Sequence, residues 1–71
     1  MLFTDVSHAR AIKVFAKGGF WIVRNLGAKH TTMTDGVRRI VIPRHPRLNP
    51  YTLKGIIRDA GLIDAEFKNL L

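Results

Sequence analysis

The chain has 71 residues, with 12 Lys+Arg against 5 Asp+Glu, a formal net charge of +7 and a pI near 11.0. A length of this order predicts one domain spanning residues 1–71, with only about 60% of the unfolded chain's surface buried. The hydrophobic fraction of 46% and charged fraction of 24% argue against disorder, and the absence of cysteine excludes a disulfide scaffold, a thiolate nucleophile and a Cys-type zinc site.

The first element falls at Ser7 to Lys17. Ala11, Ile12, Phe15 and His8 recur at helical spacing, while Arg10, Lys13 and Lys17 fall largely on the other side. Thr4, Asp5 or Ser7 can cap this helix, and Gly18-Gly19 stops it. The run Gly18 to Val23 is the longest free of polar side chains, far short of the ~20 residues a membrane helix needs. No basic segment leads into an apolar core at Met-Leu-Phe-Thr-Asp, so no signal peptide is expected and a cytoplasmic setting is favoured.

Phe20 to Val23, aromatic and β-branched between Gly19 and Gly27, predicts a first strand. Lys29 to Thr34 predicts a second and Val37 to Ile42 a third, joined by a two-residue Asp35-Gly36 turn and ended by Pro43. Asn49 caps a further helix that opens on Pro50 and carries the stripe Leu53, Ile56, Ile57 and Ala60. Gly61 suits a left-handed helix end that lets Leu62 pack on Ile57, and Asp64 to Leu71 reads as a final short helix. The order α-β-β-β-α-α predicts an α+β sandwich, a three-stranded antiparallel sheet with its helices on one face.

A two-residue turn would pair Thr32 with Arg39 and His30 with Val41. It would place Thr31, Met33, Ile40 and Ile42 on the core face, and His30, Thr32, Thr34, Arg39 and Val41 on the opposite one. His30 is then exposed, with Arg39 diagonal to it. An exposed histidine titrates near ~6.5, and a neighbouring guanidinium can hold a phosphate beside it.

Charge concentrates in the middle of the chain. From Arg24 to Arg47, Arg24, Lys29, Arg38, Arg39, Arg44 and Arg47 meet the single acid Asp35, a local balance of +5. This is the footprint of a nucleic-acid binder, although a solvated face or a surface for an acidic protein fits the charge as well. His8 reads as structural or incidental. His45, between Pro43 and Pro46, either binds phosphate or caps a strand end. No spacing among the histidines suits a metal site, so neither metal nor cofactor is expected. Trp21 could stack on a base but reads more simply as partly buried structure.

Gly19 to Arg24, Gly27-Ala28-Lys29-His30, Asp35-Gly36, Ile42-Pro43-Arg44-His45 and Leu53 to Leu62 together resemble the HicA toxins, the mRNA-interferase half of HicA–HicB toxin–antitoxin pairs. The resemblance implies a double-stranded-RNA-binding-like fold and mRNA cleavage without a metal, with His30 as the catalytic histidine. It also implies a HicB-like antitoxin that covers the site, and a prokaryotic cytoplasm. Lys29, Arg38, Arg39, Arg44 and His45 are the expected RNA-binding side chains. Many members carry Gly-Ser-His-His where this chain has Gly-Ala-Lys-His, and a serine or threonine where it has Ile63. A non-catalytic RNA-binding module of the same fold is the alternative, since such a module needs the cations but no titrating histidine.

Overall fold

A computed structural model describes residues 2–24 and 29–71. The elements are α1 (His8–Lys17), β1 (Trp21–Arg24), β2 (His30–Thr34), β3 (Arg39–Pro43), α2 (Pro50–Asp59) and α3 (Asp64–Leu70). The strands form one antiparallel sheet in the order β1-β2-β3. Its inner face contributes Met33, Ile40 and Ile42 to a core completed by Ala11, Val14 and Phe15 of α1, Leu53, Ile56 and Ile57 of α2, and Phe67 of α3. The α+β sandwich expected from the hydrophobic pattern is the observed architecture.

Local chemistry explains the boundaries. The Ser7 hydroxyl accepts from the Arg10 amide at 3.1 Å and opens α1, and Asn49 Oδ1 accepts from Tyr51 and Thr52 to open α2. Both helices end in the same way. At Gly19 (φ +97) and Gly61 (φ +74) the chain enters the left-handed region, and the next amide reaches back five residues: Phe20 to Phe15 and Leu62 to Ile57. The Phe15 and Phe20 rings then meet edge to face at 6.0 Å, which packs the entry to β1 onto α1. Glu66 accepts from the Ile63 amide at 2.9 Å, so α3 is capped from its third position although Ile63 has no capping oxygen.

The hairpin between β2 and β3 departs from the expected form. Thr34 pairs with Arg39, Thr32 with Val41 and His30 with Pro43, so the loop holds four residues, Asp35 to Arg38. A two-residue turn of that kind needs positive φ at both positions, yet only Gly36 (φ +95) adopts it. Side chains close the loop instead. Asp35 Oδ1 accepts from the amides of Val37 (2.9 Å) and Arg38 (2.6 Å), and Thr34 Oγ1 accepts from Gly36 and donates to the Arg38 carbonyl. The shift is two residues, so every side chain keeps its face. Thr31, Met33, Ile40 and Ile42 are buried, whereas His30, Arg39 and Val41 are exposed.

A candidate RNA-binding and cleavage site

Lys29, His30, Arg44 and His45 gather at the end of the sheet away from the hairpin. The Arg44 amide donates to the Lys29 carbonyl at 2.8 Å, which extends the β2–β3 ladder one rung past the His30–Pro43 pair. His30, the first residue of β2, is exposed on the outward face, and Lys29, Arg44 and His45 are exposed at the same end of the sheet. The His45 amide donates to the Pro43 carbonyl at 3.0 Å, and its own carbonyl accepts from the His8 amide at 3.2 Å. Leu48 donates likewise to Val6, so the segment after β3 is tied to the start of α1 by two backbone bonds. The Gly27-Ala28 half of the Gly-to-His motif lies outside the described residues.

Arg38 and Arg39 do not join this group. Arg39 stands opposite Thr34, four residues along the ladder from the His30 rung, or about 13 Å at the rise of a strand. The expected diagonal contact with His30 is therefore absent: the four-residue loop consumes the two positions that would have brought Arg39 beside it. Arg38 sits in that loop, paired with Asp35 at 3.7 Å, and its guanidinium lies over Gly61. The cations form two separate clusters, one at each end of the sheet.

Two residues carry more than the sequence suggested. Trp21 is 52% exposed, and it stands opposite Thr34 with Arg39 on the far side of the same row. Exposure does not alternate along β1, since Ile22 and Val23 beside Trp21 are exposed as well. His8 is not incidental. Its Nε2 lies 2.9 Å from Thr31 Oγ1, and Arg44 Nε approaches the same hydroxyl at 3.4 Å. Burial, and then the Arg44 charge, hold the His8 ring below the ordinary histidine value. The pairing joins residues 8, 31 and 44, so no local spacing could reveal it.

The site is an open cationic surface. A hollow of about 250 Å³ lined by Tyr51, Lys54, Arg58 and Asp64 lies on the α2–α3 side and includes none of the cluster. Among the described residues no group of three His, Asp or Glu side chains is placed to hold a metal ion, and no helix is long and apolar enough to cross a membrane. A strand end that exposes cations and an imidazole on an open surface suits a flexible polyanion better than a small molecule, which would need enclosure.

The family model for HicA toxins of bacterial toxin–antitoxin systems matches residues 9–62, from the start of α1 through the end of α2. The chain belongs to the HicA toxin family. The matched span contains all three strands of the sheet and the whole cationic cluster, and His8 lies one residue before it. A comparison with curated proteins finds no match.

Proposed function

We propose that this HicA toxin is a metal-independent endoribonuclease that cleaves mRNA in a prokaryotic cytoplasm, held in check by a HicB-like antitoxin that covers the cationic end of the sheet. The observation that carries the reading is the exposed His30 one rung from the end of the ladder, with Lys29, Arg44 and His45 exposed at the same end of the sheet. RNA brings its own nucleophile, so the protein need supply only a proton acceptor, a proton donor and cations for the phosphate.

In this mechanism His30 takes the proton of a 2′-OH as that oxygen attacks the adjacent phosphorus. The P–O5′ bond breaks, the 5′-oxygen leaves with a proton from water, a 2′,3′-cyclic phosphate remains, and His30 returns its proton to solvent. Proton transfer of this kind contributes roughly 10²–10⁴-fold. Lys29 and Arg44, opposite each other across the terminal rung, offset the charge that builds on the phosphoryl oxygens. Arg38 and Arg39, at the hairpin end, contact phosphates further along the strand.

The test is expression without antitoxin in bacteria. The wild-type chain is expected to arrest growth and shorten mRNA lifetimes, and His30→Ala to do neither at equal soluble expression. Equal toxicity of the two would remove His30 from the mechanism. Tight RNA binding without cleavage by the wild-type chain would favour the non-catalytic module.

A further inference from the structure

Thr31 is the residue after His30, and its side chain is the one buried polar group among the described core positions, at 1% exposure. Its hydroxyl stands between two partners from distant parts of the chain, His8 Nε2 at 2.9 Å and Arg44 Nε at 3.4 Å. His8 is fixed twice, through its ring to β2 and through its amide to the His45 carbonyl. The amide bond satisfies a donor at the first turn of α1 that has no partner within the helix. One residue of α1 thus grips both segments that carry the cationic cluster.

We infer that His8 is a positioning residue for the cationic end of the sheet: through the Thr31 hydroxyl it orients the Arg44 guanidinium toward an RNA phosphate. The inference rests on the RNA-cleaving reading above and assigns a role to a side chain outside the family-matched span.

The physical argument begins with entropy. An exposed arginine samples many rotamers, and a side chain that must meet a phosphate in one geometry loses that freedom on binding. An anchor at Nε fixes the plane of the guanidinium beforehand and is compatible with a phosphate accepting from its terminal nitrogens. The anchor must be polar, because an apolar side chain packed on the buried hydroxyl would take a hydrogen-bond partner from it. It must also be neutral, because a second cation at this distance would repel Arg44. Histidine meets both needs. Burial and the Arg44 charge together favour its uncharged form, and either tautomer can hold the Thr31 contact.

A plainer role, in which His8 only satisfies a buried hydroxyl, makes different predictions. The experiment uses the full chain, with ¹⁵N spectra of the arginine Nε–H groups and titration with a short 2′-methoxy RNA that cannot be cut. Wild-type protein is expected to show a distinct, slowly exchanging Arg44 Nε–H signal, assigned by its loss in Arg44→Ala. His8→Leu and Thr31→Val should each move that signal toward the free-arginine position and weaken RNA binding about tenfold. His8→Gln and Thr31→Ser, which keep a neutral polar contact, should recover most of both. In an Arg44→Ala background, His8→Leu should cause no further loss of binding.

An Arg44 signal unmoved by His8→Leu would overturn the positioning role, whatever the protein does to RNA. An equal loss of affinity in both backgrounds would do the same, since His8 would then act through the fold at large. If His8→Leu fails to fold, the Thr31→Val and Thr31→Ser pair decides the matter by the same two readouts. Wild-type protein that binds no 2′-methoxy RNA would overturn the RNA reading and this inference with it.

Discussion

Thr34 stands directly opposite Arg39 across the β2–β3 ladder, and this pairing separates Arg39 from His30 by the length of β2. On the proposed RNA-cleaving reading, the two ends of the sheet would then meet different parts of a bound RNA. Arg44→Ala should lower the cleavage rate at saturating RNA as well as the affinity. Arg39→Ala should weaken binding alone. Each should reduce the slope of log K against log salt by about 1, measured with uncleavable RNA. An equal fall in the saturated cleavage rate for Arg39→Ala would mean that the two clusters act on one phosphate.

The hairpin is closed by the Asp35 carboxylate, whose pKa is held below the ordinary carboxylate value by the Arg38 and then the Val37 amide bonds. A lowered folded-state value means that this carboxylate's stabilisation is whole above about pH 3.9 and is lost as the pH falls through the lower native value. Thermal unfolding followed between pH 6 and pH 2 should show a shallower acid limb for Asp35→Asn than for wild type. Parallel limbs would show that the carboxylate charge contributes nothing to the loop.

Gly61 is constrained twice, by φ +74 and by the Arg38 guanidinium lying where a Cβ would project. The arginine can swing aside, but the backbone cannot leave the left-handed region without breaking the end of α2. Gly61→Ala should cost about 1–2 kcal/mol in urea unfolding. A cost near zero would show that α2 can end equally well in another geometry.

His8 gives the opposite pH signature to a histidine that gains an anionic partner. Its folded-state value lies below about 6.5, so the unfolded chain binds the proton more readily. The neutral ring's contribution is whole above about pH 6.5 and falls away as the pH drops from there toward the native value. The charged group facing the ring is Arg44, with the Thr31 hydroxyl at Nε2. Urea unfolding at pH 7.5 and 5.5 should show a smaller loss for His8→Gln than for wild type. An equal loss in both would show that His8 titrates alike in the folded and unfolded chains.

Most of the fold was legible because it follows from local chemistry. Ser7, Asn49, Gly19 and Gly61 mark helix ends by what their side chains or backbones can do, and the alternation from Thr31 to Ile42 sorts the sheet faces. The hairpin register was not legible from Asp35-Gly36 alone. That pair can turn the chain in two residues, and here the Asx bonds of Asp35 and the Thr34 hydroxyl favour four. The exposure of His30 survived the error because a shift of two keeps parity, while its neighbour changed from Arg39 to the Lys29–Arg44 rung. The role of Thr31 and the approach of His8 depend on residues 23 and 13 positions apart meeting at one hydroxyl. Contacts of that kind are made by packing, and no periodicity records them.

The central claim is that His30 moves a proton during attack by the RNA's own 2′-OH. It is tested most directly by the products and the substrate requirement of purified protein. Wild-type chain, treated with EDTA, should cut a short RNA to leave a 2′,3′-cyclic phosphate. The same RNA with one 2′-methoxy group at the cut position should resist cleavage there, and His30→Ala should bind the RNA but leave it whole. Cleavage of the blocked position at the normal rate, or by folded His30→Ala at the wild-type rate, would contradict the account.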